Sequence, residues 1–173
     1  MVNVPKEDKK ILYESYVALF TLDKKSPNFF TDMRLNSAFT ALMLSRKWAW
    51  NVIGISKNAY LACTELHFKK RPKNILVRGH IKQRIDTFRL LFDRIEKPSR
   101  TDPYSFEEFW ETYLPNDQTI LMTREENGVG KVIPHHHKFN NDEFSLFTND
   151  GNNFDFKEKE MKFLREFDIK NFD

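Results

Sequence analysis

The chain has one cysteine and five glycines in 173 residues, and no apolar run approaching the roughly 20 residues of a membrane span. A lone Cys63 excludes an internal disulfide and fits a reducing compartment. No signal-peptide pattern opens the sequence. The expectations are therefore an intracellular, cytoplasmic protein with no membrane partner. The few glycines do not build a phosphate-cradling loop, because Gly128-Val129-Gly130 lies between two strand candidates and does not open a helix. No Gly-x-Ser-x-Gly elbow is present for a serine hydrolase. Asn149-Asp150-Gly151-Asn152 is too short of carboxylates at alternate positions for a calcium loop. Pro115-Asn116-Asp117 with Glu125 and Glu126 lacks the lysine expected after the spaced acids of a metal-dependent nuclease. Glu160-Met161-Lys162 has the Glu-x-Lys form, but it falls in a helical stretch where charge pairs are routine. There is no internal repeat, no low-complexity tract and no complete catalytic motif.

Aromatic residues and unevenly placed charge are what the chain does have. Seventeen Phe and 40% hydrophobic residues supply a core for one domain or two small ones. The net charge is +3, yet residues 1–65 carry +3, residues 66–100 carry +8 and residues 101–173 carry −8. Such segregation has two readings. The basic segment binds an external polyanion, or it docks on the acidic C-terminal half of its own chain or of a second copy.

The basic segment, 69–100, holds eleven Lys or Arg against Asp86, Asp93 and Glu96. Ile81, Ile85, Phe88, Phe92 and Ile95 recur at the spacing of one buried helix face, leaving cations on the other. A packed helix with a cationic outer face suits a polyanion, of which nucleic acid is the commonest.

Further helices are expected over 6–21, from Arg34 towards Trp48, over 57–66, from Ser105 with a Ser105–Glu108 capping box, and over 157–167. Trp48 and Trp50 read as packing residues, and Cys63 as a small buried core residue. Pro98 to Pro103 reads as a linker. After Pro115 the period becomes extended. Strands at 119–124, 131–134 and 144–148, turns at Asn127-Gly128 and Asp150-Gly151, and alternation around Phe154 and Phe156 predict a small antiparallel sheet. The fold class is α+β. A mostly helical N-terminal part over 1–97 precedes a smaller acidic part over 104–173, with a small antiparallel β-sheet and a C-terminal helix.

Gly54-Ile55-Ser56 between two helix candidates resembles the turn of a helix-turn-helix DNA-binding motif. The resemblance covers about 25 residues and implies that Lys57 and Asn58 face DNA. Arg78-Gly79-His80 reads either as a phosphate clamp beside a general acid or base, or as an exposed polar turn. His135-His136-His137, if extended, puts His135 and His137 on one face, where two imidazoles can share a divalent metal ion. Asp142, Glu143 or His80 would be the third ligand. The run is similar to the His-containing hairpin of the His-Asn-His nucleases, but the Asn and second His of that family do not recur and no Cys pairs brace a metal.

The expected function is nucleic-acid binding, DNA before RNA. Lys57, Asn58, Lys69, Lys70, Arg71, Lys73, Arg78, Lys82, Arg84 and Arg89 would form the contact surface. Cleavage by a metal-dependent nuclease would use His80, His135 and His137, with His135 and His137 on the metal. The alternative is a structural or interaction protein whose basic and acidic segments meet in a homo-oligomer.

Overall fold

The computed structural model describes residues 3–27, 29–44, 46–95, 99–128, 132–139, 146–151 and 153–167. Helix α1 (Lys6–Lys25) begins with Glu7 and Asp8 at the positive end of its dipole and ends with Lys24 and Lys25 at the negative end. It buries Leu12, Tyr16 and Phe20 along one face. Thr31 caps α2 (Asp32–Met43) by accepting from the Arg34 backbone N–H. Strand β1 (Val52–Ser56) runs directly into α3 (Lys57–Glu65), with Ser56 Oγ capping at the Ala59 N–H. Next come β2 (Leu76–His80), α4 (Arg84–Leu91) and α5 (Phe106–Asn116), the last opened by the reciprocal Ser105–Glu108 cap. The chain continues through β3 (Thr119–Thr123), α6 (Arg124–Gly128) and β4 (His136–Lys138). A two-stranded ribbon of β5 (Asn149–Asp150) and β6 (Asn153–Phe154) precedes α7 (Glu158–Glu166).

The α+β class and the C-terminal helix stand, but the sheet differs from the expected antiparallel one. It is mixed, in the order β2-β3-β1-β4. β3 runs parallel to β1 and antiparallel to β2, while β4 runs antiparallel to β1. Strands from both sides of the proline-rich stretch thus join in one sheet. β3 lies centrally with all five residues buried, as a continuous apolar run should.

The helix–turn–helix resemblance does not survive. Val52-Ile53-Gly54-Ile55-Ser56 is a strand, favoured by β-branched residues over the turn that Gly54 suggested. A Cβ on Gly54 would strike the His137 carbonyl, so the glycine serves the close approach of β4. At the other end of the sheet, the expected Asn127-Gly128 hairpin is a short helix. Thr123 and Glu126 cap each other across its first turn, the Thr123 N–H donating to Glu126 Oε2 and the Glu126 N–H to Thr123 Oγ1. Of the other extended candidates, 132–134 and 146–148 form no strand, the chain pairing instead at His136–Lys138 and Asn149–Asp150, while Lys131, Phe144 and Ser145 lie outside the described residues.

The basic helix is shorter than its apolar spacing implied. Phe88 and Phe92 are buried, but the helix stops at Leu91 and Ile95 is 52% exposed. Asp93 turns the chain in the left-handed region, φ 55°, and its carboxylate is held by Lys24 and the backbone N–H groups of Ser99 and Arg100. Local bonds to that carboxylate replace the helical continuation.

Two apolar clusters hold the layers together. The first joins α1, α2, α4 and α5 through Tyr16, Phe20, Phe39, Phe92 and Phe109. Tyr16 Oη donates to the Leu91 carbonyl and accepts from the Tyr104 N–H, tying three segments with a satisfied buried hydroxyl. The second cluster joins β1, α3, β3 and α7 through Ile55, Cys63, Leu121, Phe147 and Leu164. Full burial of each such side chain stabilises by roughly 1.5–3 kcal/mol before entropy is counted.

Candidate functional site

Alternation along β2 sends Arg78 and His80 to the same side of the strand. Three residues after β2, α4 starts with Arg84. Both arginines lie against the indole of Trp50, with guanidinium carbons 4.8 Å and 5.3 Å from its ring centroid. The His80 ring stands edge-on to the same indole at 6.1 Å. Arg71 reaches in from the basic stretch before β2 and lies over the Phe154 ring at 4.0 Å. These side chains, with Asn153, line a cavity of about 200 Å³.

Each wall of this cavity is anchored by other residues. Trp50 sits in the left-handed region at φ 57°, a conformation that costs energy outside glycine. Its N–H donates to Asp117 Oδ2 at 2.9 Å, and its carbonyl accepts from Thr119 Oγ1 at 2.8 Å. Arg78 Nη2 donates to Asn149 Oδ1 at 2.9 Å. Asn149 is buried, and its amide donates to the carbonyls of Met43, Leu44 and Arg46. Arg71 donates to the Leu76 carbonyl and to Asn153 Oδ1, and Arg84 reaches Thr40 Oγ1.

No carboxylate lies within ion-pair distance of Arg71, Arg78 or Arg84 among the described residues. Arg71 Nε, Arg78 Nη1 and His80 Nε2 are buried with no hydrogen-bond partner among the described residues. Burial lowers the pKa of all three arginines, that of Arg78 to about 10, so they remain cations at neutral pH. Burial, reinforced by Arg84 and Arg78, drives the His80 pKa down to about 3 and leaves its imidazole neutral. The acid whose field reaches Arg78 and Arg84 is Asp117, bonded to the Trp50 N–H. Burial pushes it up to about 7 against the opposing bonds from Trp50 and Tyr113 and the fields of Arg78 and Arg84. The cavity therefore carries a positive charge without a matched counter-ion.

A second cleft, of about 540 Å³, shares Arg71, Asn153 and Phe154 with the first. Lys69, Lys70 and Lys73 stand on it opposite Phe156 and Met161. The two spaces adjoin at these shared residues and together are the cationic channel.

The ten cations and amides expected on one contact surface separate into groups. Arg71, Arg78 and Arg84 converge in the cavity, and Lys69, Lys70 and Lys73 continue it. Lys82 sits half-buried in the turn between β2 and α4. Arg89 is committed to Asp32 and Asp86. Asn58 donates to Glu126 Oε1 and lies beside Lys57 at the start of α3, away from any helix–turn–helix geometry. Arg78-Gly79-His80 is not an exposed turn; it is the end of an edge strand, with Gly79 buried and Arg78 and His80 half-buried. The ion-paired cations of the basic segment, Arg89, Arg94 and Arg100, pair with Asp23, Asp32, Asp86 and Asp93, all upstream of the acidic C-terminal part.

The three-histidine grouping is not formed. His135 and His137 do lie close, ring centroids 6.1 Å apart, but at β4, while His80 is on β2. Those strands are opposite edges of the sheet, about 14 Å apart at the usual strand spacing. Asp142 and Glu143 lie outside the described residues. Among the described residues no three His, Cys, Asp or Glu side chains are grouped to hold a metal ion. Cys63 is buried, and burial raises its thiol to about 12, which suits a core residue and not a nucleophile.

Sequence reasoning passed over Trp50, Asn149, Asn153 and Asp117 as site residues. One signal was available for the pair of asparagines: they flank the Asp150-Gly151 turn, whose ribbon carries both towards the arginines. Comparison with protein-family models, with curated proteins and with solved structures finds no match to this chain.

Proposed function

We propose that the chain is a nucleic-acid-binding protein whose channel takes a single strand. The observation that supports this reading is the convergence of Arg71, Arg78 and Arg84, none ion-paired, at the end of a cleft carrying Lys69, Lys70 and Lys73. Lysines along a cleft neutralise successive phosphates, and the half-buried Phe156 on the cleft wall is an aromatic contact for a base, while Phe154 is buried beneath the Arg71 guanidinium. A cleft of about 540 Å³ is of the size that takes a nucleotide, which favours a single strand over a duplex as its occupant. The backbone contacts are common to DNA and RNA, and the sequence-based expectation of DNA becomes a matter for comparison.

Fluorescence anisotropy with labelled 20-nucleotide DNA and RNA strands, and with the matching duplexes, tests the reading. Single strands should bind more tightly than duplex, and log K should fall linearly with log salt by roughly 0.7 per phosphate contacted. Absence of binding to every one of these at low salt refutes it.

A further inference from the structure

We infer that the Arg71–Arg78–Arg84 cavity is a site for a phosphate monoester, which the terminal phosphate of a bound strand would supply. The inference rests on the nucleic-acid reading for its source of phosphate and on the cavity itself for its chemistry. At about 200 Å³ the cavity is smaller than the roughly 300–1,000 Å³ of sites that enclose a whole small molecule. It has room for about six waters, enough for one phosphate group with some hydration. The adjoining cleft of about 540 Å³ falls within the range for a nucleotide.

The open donors point the same way. Arg71 Nε and Arg78 Nη1 are buried without acceptors among the described residues, an arrangement rare in a protein interior unless water or a ligand completes it. Both belong to guanidinium groups, whose planar donor pattern matches phosphate oxygens. His80 Nε2, also buried and unpartnered, adds a third polar atom on the same wall. The other nitrogens of Arg71 and Arg78 are held by Asn153, the Leu76 carbonyl and Asn149, so the forks are aimed before any ligand arrives.

Charge selects the monoester over the diester. A phosphodiester carries one negative charge, whereas a monoester carries about 1.5–2 near neutral pH. Three guanidinium groups around a neutral imidazole favour the more highly charged group. A diester inside a strand would also have to bring sugars in on both sides, and a terminal phosphate brings only one. A bound dianion would in turn favour the protonated form of His80, converting it to a further donor.

The test is competition binding to the folded protein with strands identical in sequence that end in 5′-phosphate, 3′-phosphate or hydroxyl. Adenosine monophosphate serves as a free-nucleotide probe. One phosphorylated end should bind at least tenfold more tightly than the hydroxyl strand, and Arg71→Gln should abolish the difference. Arg78→Lys, which keeps the charge and removes the fork, should do the same, and circular dichroism checks both folds. If no strand binds but adenosine monophosphate does, in an Arg71-dependent way, the monoester site stands and the nucleic-acid reading fails. Equal binding of phosphorylated and hydroxyl strands, without adenosine monophosphate binding, overturns the site and leaves the nucleic-acid reading intact.

Discussion

Asn149 holds Arg78 in place: its Oδ1 accepts from Arg78 Nη2 at 2.9 Å while its amide is fixed to the carbonyls of Met43, Leu44 and Arg46. One buried side chain thereby connects the end of α2 to the cationic cavity. Asn149→Ala should remove these bonds together. At about 1 kcal/mol per net hydrogen bond, more where a buried partner is orphaned, the expected loss is about 2–4 kcal/mol. For a chain of this size the melting temperature should drop by roughly 5–15 °C. Strand affinity should fall by about tenfold, because Arg78 loses its aim. Calorimetry and anisotropy on the same variant check both effects.

Two groups behind and beside Trp50 should give the stability opposite pH slopes. Asp117 titrates near 7 in the fold against an ordinary value of 3.8, so between those values the native state holds a proton that the unfolded chain has lost. Its contribution to stability therefore falls as pH rises through that window. His80 titrates near 3 against 6.5, so the unfolded chain holds the extra proton and its contribution rises with pH. Each slope is at most about 1.4 kcal/mol per pH unit, and they oppose one another over their shared range. Relative to the parent, His80→Gln should lose stability as pH is raised from about 4 to 6.5, and Asp117→Asn should gain it up to about 7. Urea titrations at several pH values give both differences. Parallel curves for parent and variants would show that these groups are not perturbed by burial.

Cys63 should resist thiol reagents in the native protein. Its side chain is fully buried in the second core and its thiol is pushed up to about 12, so little thiolate exists at neutral pH. Labelling by a disulfide reagent should proceed no faster than opening of that core and become rapid in denaturant. Fast stoichiometric labelling of the folded chain would place Cys63 on an accessible surface.

Where the sequence was readable and where it was not follows from the range of the forces involved. The Ser105–Glu108 cap and the aromatic face of α5 depend on residues three or four apart, and they form as expected. The Thr123–Glu126 cap is equally local, yet the adjacent Asn127-Gly128 pair suggested a hairpin. A two-bond cap on a helix turn outweighed the turn preference of two residues. β1 was hidden because its partners, 119–123 and 136–138, lie more than sixty residues away, and only that pairing distinguishes Val52-Ile53-Gly54-Ile55-Ser56 from a helix-ending turn. The cationic segment was visible as composition. Which cations are already paired was not, since Arg89 and Arg94 meet Asp23 and Asp32 through the packing of α1, α2 and α4.

That division among the cations makes the channel testable by charge reversal. Lys69, Lys70 and Lys73 are exposed on the cleft, so changing all three to Glu should leave the fold intact, surface substitutions away from structural contacts being nearly neutral. Binding of single strands should be lost at moderate salt. At low salt, the dependence of log K on log salt should flatten by about 2, the share of three contacts on a single strand. Arg89→Ala removes as basic a residue from the same segment, but one whose guanidinium is already turned to Asp32 and Asp86. Its affinity and salt slope should match the parent. The triple reversal removes six units of charge and Arg89→Ala one, so were Arg89→Ala to cost about a sixth of the binding free energy lost in the triple variant, binding would follow net charge alone, and the channel would have no special role.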